Sequence, residues 1–215
     1  MVLTLWGSPL STCTRRVATV LHEKKVPFKF VPIDLGKGEH KTPQFLSLQP
    51  FGQVPVLDDD GFKVHESRAI CRYIVEKYPD QGTPGLIPKD LKDRALFEQA
   101  ASIETSNFSA YAEPAVFENV FKKYRGGTPD EEKFNALIAQ LDAKLDVYDQ
   151  VLSKQNYLSG DQITLADLFH LPYGTMLAEA GSDIMSRKPN VSRWFKELEN
   201  RPSWQAVKDG VEATA

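Results

Sequence analysis

An α/β domain followed by an all-α helical bundle is the fold this sequence predicts, and three features predict it. Within residues 1–80 the apolar pattern alternates between the two-residue repeat of strands and the three-to-four-residue repeat of helices, giving the order β-α-β-α-β-β-α. From residue 92 to 215 the helical repeat takes over almost entirely. Between them, residues 81–91 open on Gln81-Gly82-Thr83-Pro84-Gly85-Leu86-Ile87-Pro88, a concentration of helix and strand breakers that marks a linker.

The elements follow in order. Val2-Leu3-Thr4-Leu5-Trp6 reads as a strand, and Thr12 to Lys24 as an amphipathic helix with Cys13, Val17, Val20 and Leu21 on one stripe. Arg15, Arg16, Glu23 and Lys24 fall elsewhere. The two arginines read as solvated, or as adding positive potential near the helix start. Phe28-Lys29-Phe30-Val31-Pro32-Ile33 is a second strand, and a parallel pair needs the intervening helix as its crossover. Residues 36–43 form a loop leading into a short helix around Gln44 to Leu48. Asp58-Asp59-Asp60-Gly61 is a turn between Val54-Pro55-Val56-Leu57 and Phe62-Lys63-Val64-His65, which makes a hairpin. After it, Ile70 and Ile74 with Tyr73 and Tyr78 return to helical spacing. Helical repeats then run from about Lys92 to Tyr124, with an interruption expected near Pro114, and from about Asp130 to Ser153. In the second of these, Phe134, Leu137, Ile138, Leu141, Leu145 and Tyr148 set the buried face of a bundle. Thr164 and Asp167 form a capping box, with Ile163 and Leu168 as its hydrophobic staple. This reads as a folding signal and not as chemistry.

Composition restricts what these domains can do. The chain has 215 residues, 41% hydrophobic and 26% charged, which suffices for two modest cores. A net charge of -3 with no long basic run argues against a nucleic-acid partner. Cys13 and Cys71 suggest neither a disulfide framework nor a zinc site, and His22, His65 and His170 have no metal-ligand spacing, so no metal is expected. No apolar run reaches membrane-spanning length, and the first residues enter a strand without a signal-like pattern. A reduced, soluble, cytoplasmic protein is expected.

One pair of motifs suggests a binding site. Pro55 holds Val54 extended, leaving the Val54 N–H and C=O to pair with an extended ligand; a cis Val54-Pro55 bond would turn that edge outward. Eleven residues beyond Pro55, Glu66 and Ser67 bring a carboxylate, a hydroxyl and the orphan N–H groups of a helix N-terminus. Together they suit a peptide-like anion. Ser11, between the first strand and helix, has by composition alone the reading of an ordinary N-cap.

Ser11-Thr12, His40-Lys41, Phe51-Gly52-Gln53-Val54-Pro55, Glu66-Ser67-Arg68-Ala69-Ile70 and the Thr164-Leu165-Ala166-Asp167 box together resemble a cytosolic glutathione transferase. The stretches Pro9-Leu10-Ser11-Thr12 and Leu35-Gly36-Lys37-Gly38-Glu39-His40-Lys41 resemble the phi class most. The resemblance spans essentially the whole chain. It implies a thioredoxin-like first domain that binds glutathione as co-substrate, with no cofactor. The backbone of Val54, set by Pro55, would pair with the cysteinyl part. Gln53, Glu66 and Ser67 would hold the γ-glutamyl end, while His40 and Lys41 would face the glycyl carboxylate. Ser11 would donate a hydrogen bond to the sulfur, assisted by Thr12, with Thr12 also available as the helix cap. A free thiol titrates near 8.5, so lowering its pKa by about two units requires roughly 2.7 kcal/mol of differential interaction. Leu10, Leu35, Phe108, Tyr111, Phe117 and Phe121 would wall an apolar second-substrate site between the domains. Cys13 invites a thiol-transfer role, but its place on the apolar stripe favours core packing. The implied activity is conjugation of the glutathione thiolate to hydrophobic electrophiles. The alternatives are peroxidase chemistry on organic hydroperoxides at the same site, or ligandin-type carriage of apolar molecules. The resemblance also implies a homodimer, with Phe51 inserted into the partner's helical domain.

Overall fold

The computed structural model describes residues 2–215. The chain divides into two compact units, one of residues up to Pro84 together with Arg201–Ala215, the other of Gly85–Asn200.

In the first unit, β1 (Leu3–Gly7), α1 (Thr12–Glu23) and β2 (Phe28–Pro32) form the crossover unit. A short 3-10 turn (Glu39–Lys41) and α2 (Pro43–Leu46) lead to the hairpin of β3 (Val56–Asp59) and β4 (Phe62–His65), and α3 (Ser67–Lys77) closes the series. The four strands lie in the order β2-β1-β3-β4, with β1 and β2 parallel and the other pairs antiparallel. Alternation along β1 sends Leu3 and Leu5 to one face and Trp6 to the other. Trp6 joins Ile33, Phe45 and Val56 in a small core under α2, with Leu48 and Val54 at its edge. On the opposite face Leu3, Leu5 and Leu57 are fully covered, as are Val17 and Leu21 of α1 and Ile70 and Ile74 of α3, two helices that pack on each other. The centre of the sheet is thus covered on both sides, while the edge strand β4 stays half-buried to exposed.

The segment Gln81–Pro84 is pinned to the end of α1. Thr83 N–H donates to Glu23 O at 2.8 Å, Lys24 Nζ to Thr83 O at 3.0 Å, and Gln81 Nε2 to Lys24 O at 2.9 Å. Gly82 has φ +64°, and a Cβ there would lie 2.1 Å from Glu23 O, so only glycine fits. The helical repeat predicts a helical domain reaching residue 215, but the helical unit ends at Asn200. Residues 201–215 return to the first unit because buried Glu23 accepts Arg201 Nε at 2.5 Å and Nη2 at 2.8 Å and the Ser203 hydroxyl at 2.5 Å.

The second unit begins with α4 (Leu91–Ile103), a π-helical segment (Glu104–Ser109), α5 (Ala110–Val116), a second π segment (Phe117–Phe121) and the short α6 (Lys122–Tyr124). The expected interruption at Pro114 does not occur; Pro114 lies inside α5. Proline removes one N–H from the α ladder within α5, and π segments flank that helix on both sides. The long α7 (Glu131–Leu152) is capped by Asp130 and buries Phe134, Ile138, Leu141, Leu145 and Tyr148 as its spacing predicts. Then come α8 (Leu165–Leu168), α9 (Leu171–Glu179), α10 (Ile184–Arg187) and α11 (Pro189–Glu199), while α12 (Pro202–Gln205) belongs to the first unit.

The capping box forms at α8. Asp167 is wholly buried and accepts Thr164 N–H at 2.9 Å, the Thr164 hydroxyl at 3.0 Å, Leu158 N–H at 2.9 Å and Trp194 Nε1–H at 3.0 Å. Burial pushes its carboxyl above the usual range, and these four donors pull it back. Among the described residues no helix is long and apolar enough to cross a membrane.

Candidate functional site

Strand register gathers the candidate residues at one end of the sheet. Gly7 pairs with Pro32, Trp6 with Val56, and Val56 with His65. The loop to Ser11, the loop to His40 and Lys41, the approach through Gln53 and Val54, and the turn into Glu66 and Ser67 all leave the sheet there. This is the carboxyl end of the parallel strands, where open α/β sheets bind ligands.

Ser11 is the N-cap of α1. Its φ and ψ are -62° and 130°, and its Oγ accepts Thr14 N–H at 3.4 Å. The expectation that Thr12 would cap is corrected: Thr12 is the first helical residue and is buried, and the extended backbone of Ser11 aims the hydroxyl at the first turn instead. That bond uses Oγ as acceptor only, so the Ser11 proton is still available to donate. Gly7 makes the tight entry possible, since a Cβ there would lie 2.6 Å from the Thr14 side chain.

Arg15 and Arg16 are buried, against the expectation of solvent exposure. Arg16 is 1% exposed; its Nη1 donates to Ser67 Oγ at 2.9 Å and lies 3.6 Å from Cys13 Sγ. A guanidinium therefore joins the start of α1 to the start of α3. The missed signal was spacing: Arg16 is three residues from Cys13 and four from Val20, on the same stripe.

Ser67 is the first residue of α3 and is buried. Glu66 before it is exposed, has φ +71° and makes no capping bond with its side chain. A non-glycine residue in that region is held there by its surroundings. The N-terminus of α3 and the Arg16 guanidinium thus meet at Ser67, an arrangement that favours a carboxylate.

The Val54-Pro55 bond is cis, and Val54 lies half-buried beside the α2 core. Gln49, a further residue the sequence reading did not single out, is 1% exposed and its Oε1 accepts Gln53 N–H at 3.2 Å. Gly52 has φ +59°, and a Cβ there would meet His40 O, Lys41 Cδ and Lys41 Nζ, each at 2.8 Å. Lys41 Nζ donates to Phe51 O at 3.0 Å. His40 is half-buried and Lys41 exposed, so the loop presents one imidazole and one ammonium beside Gln53.

The residues proposed as apolar walls separate. Leu10 is 64% exposed and Leu35 40% exposed, both in the first unit. Phe108 is a correction: it is wholly buried in the helical unit, its ring 4.6 Å from that of His170, and a covered ring presents no face to substrate. Tyr111 is half-buried with Lys144 Nζ 5.9 Å from its ring, Phe117 lies beneath Arg125 at 5.5 Å, and Phe121 is half-buried.

Both cysteines are free. Cys71 is wholly buried, and desolvation pushes its thiol up to about 12, whereas Cys13 is half-buried. His170 bonds Tyr148 and the Ala166 carbonyl, and among the described residues no three His, Cys, Asp or Glu side chains cluster as a metal site.

These features define a thioredoxin-like domain with a candidate site beside the start of α3, followed by a helical domain. Residues 1–76 match the glutathione S-transferase N-terminal domain and residues 101–202 the C-terminal domain. The chain is 48% identical to glutathione S-transferase PM239X14 of Arabidopsis thaliana, over 89% of this chain and 88% of that protein. Its fold matches that of glutathione transferase F7 from Populus trichocarpa with a TM-score of 0.92 at 40% identity, over 97% of this chain and 98% of that one. It also matches glutathione S-transferase I from mais in complex with an atrazine glutathione conjugate, with a TM-score of 0.87 at 33% identity over 97% of both chains. The chain belongs to the glutathione S-transferase family, as an enzyme of its phi class.

Proposed function

We propose that the protein conjugates the glutathione thiolate to hydrophobic electrophiles, and that the Ser11 hydroxyl stabilises the thiolate. The observation that carries this reading is the link from α1 to Ser67 through Arg16, which ties the sulfur-activating end and the anion-binding end into one rigid frame. The γ-glutamyl carboxylate takes the Ser67 N–H and hydroxyl at the start of α3, and Glu66, exposed and uncommitted to capping, takes its ammonium. Gln53 assists there, and the backbone of Val54, set by cis Pro55, pairs with the cysteinyl amide. His40 and Lys41 face the glycyl carboxylate. Arg16 adds positive charge within this frame.

The sulfur then lies over the first turn of α1. There the Ser11 hydroxyl and the N–H of Thr12 favour the anion over the thiol. Ser11 donates and forms no covalent bond. The electrophile approaches along the exposed apolar Leu10 and Leu35, and the complex of the mais relative with a conjugate of atrazine fits a product of this kind. Glutathione is a co-substrate and not a resident cofactor. The protein works in the cytoplasm as a homodimer.

Ser11→Ala tests the assignment. It raises the pKa of bound glutathione by about two units and so lowers kcat at pH 7 by about 25-fold, approaching a hundredfold only well below about pH 6.5, while the KM for glutathione changes little. Unchanged turnover with an unchanged pH profile removes Ser11 from the mechanism.

A further inference from the structure

The loop Ser8-Pro9-Leu10-Ser11 carries the hydroxyl on which activation depends, and its outward-facing backbone is held from the far end of the sequence. The Ser8 carbonyl accepts Ser11 N–H at 3.1 Å, and the Ser11 carbonyl accepts Arg15 N–H at 2.9 Å. Between them, the Pro9 carbonyl accepts Val211 N–H at 3.2 Å. Val211 is 3% exposed, so this bond is made away from solvent, where a lost partner is costly.

The approach to Val211 is itself fixed. Arg15 Nη1 donates to Lys208 O at 2.9 Å, its guanidinium lies 5.6 Å from the centre of the Trp204 ring, and both side chains are buried. Val207 is 1% exposed. Gly210 has φ +146°, the turn that brings Val211 back toward Pro9. Beyond it, Thr214 N–H donates to Phe28 O at 3.0 Å and Phe28 N–H donates to Thr214 Oγ1 at 3.1 Å, closing the segment against the edge strand β2.

We infer that residues 204–211 form a strap that positions the Pro9–Ser11 loop, and that the Val211 N–H is the positioning group through which it sets the Ser11 hydroxyl against the thiolate. The inference rests on Ser11 as the thiolate donor. The hydrogen bonds of the C-terminal segment run to Pro9, Arg15 and Phe28, on the Ser11 side of the site, so the strap acts on ionisation of the sulfur and leaves glutathione affinity alone.

Val211→Pro removes the N–H, and Val211→Ala keeps it while trimming the side chain. The ionisation of bound glutathione is read from thiolate absorbance across pH, together with kcat and KM. Val211→Pro raises the thiol pKa by about half a unit or more, which lowers the thiolate fraction below that pKa about threefold, with KM for glutathione unchanged. Val211→Ala follows the parent profile. Gly210→Ala is the second variant should Val211→Pro fail to fold: a side chain is disfavoured at its φ, so the N–H is displaced and the pKa moves the same way.

Coincident profiles in Val211→Pro and the parent overturn the inference, as do equal shifts in Val211→Pro and Val211→Ala. Ser11→Ala measured in parallel separates the two levels. If it leaves the thiol pKa unmoved, the donor assignment itself fails; if it raises the pKa while Val211→Pro does not, only the strap fails.

Discussion

Gly52 shows how one missing side chain shapes the end of the site proposed for the glycyl carboxylate. Its φ of +59° lies in the left-handed region, and a Cβ would be 2.8 Å from the His40 carbonyl oxygen, a backbone atom that cannot swing aside. Gly52→Ala should therefore cost at least about 1–2 kcal/mol from the backbone conformation alone. It should also push the Glu39–Lys41 turn outward. Steady-state kinetics should show the KM for glutathione raised several-fold with a smaller loss in kcat, because Ser11 and α1 are untouched. The two cysteines give a second prediction. Cys71 has its thiol raised to about 12 by burial, so at about pH 8 a soluble alkylating reagent should label Cys13 and spare Cys71 until the chain unfolds. Mass spectrometry of native and denatured samples decides it, and native labelling at Cys71 would contradict its burial. The motif residues were legible because proline, glycine and helix caps impose local rules that a sequence carries openly. Arg16 was not, because charged side chains usually lie in solvent and its partner Ser67 is 51 positions away.

Strands and helices of the first unit were legible in order and to within about two residues, since Pro32 ends β2 and the Asp60-Gly61 turn separates β3 from β4, both visible in the sequence. The π segments beside α5 were not. A single wider turn shifts the apolar stripe by too little to read, and Pro114 between the two segments reads as a helix break although α5 runs through it. Glu118 lies in the second of these segments. Its side chain is 1% exposed, it pairs with Lys122 and with Lys133 at 3.2 Å, and it accepts Asp130 N–H at 2.8 Å, at the cap of α7. These partners, led by the Lys122 hydrogen bond, lower its pKa to about 2. A depressed carboxylate stabilises fully above its unfolded value of about 4.5, and that contribution is lost as pH falls through 4.5 toward 2. Glu118→Gln should lower the urea midpoint at neutral pH, and its deficit should shrink as the pH falls across that window. A deficit independent of pH would show that packing and not charge is responsible. The return of residues 201–215 was equally hidden, because Glu23 and Arg201 meet only once the fold exists.

Two exposed apolar features, one on each unit, argue for the proposed homodimer and set its test. Phe51 is 67% exposed on a loop held by the Lys41 bond to its carbonyl and by the Gly52 turn, with its ring edge-on to His65 at 6.3 Å. Between α4 and α7 lies an apolar cleft of about 220 Å³ lined by Ile103, Val147, Tyr148 and Val151, with Val147 57% exposed. A cavity of about 150 Å³ accepts a benzene ring, so the cleft has room for one phenyl group. In a twofold pair, each copy would offer its Phe51 to the other's cleft, and the contact would occur twice. Burying one phenylalanine side chain gives about 1.5–3 kcal/mol, hence about 3–6 kcal/mol for both, or roughly two to four decades in the dimer dissociation constant. Phe51→Ser should thus move the protein from dimer toward monomer in sedimentation equilibrium at micromolar concentration. Val147→Glu should do the same from the other side of the contact by placing a charge in the cleft. If Phe51 fills that cleft, the double variant loses little more than either single one, because both remove the same contact. Additive losses would place the two residues in separate contacts, and a dimer indifferent to both would put the interface elsewhere on the molecule.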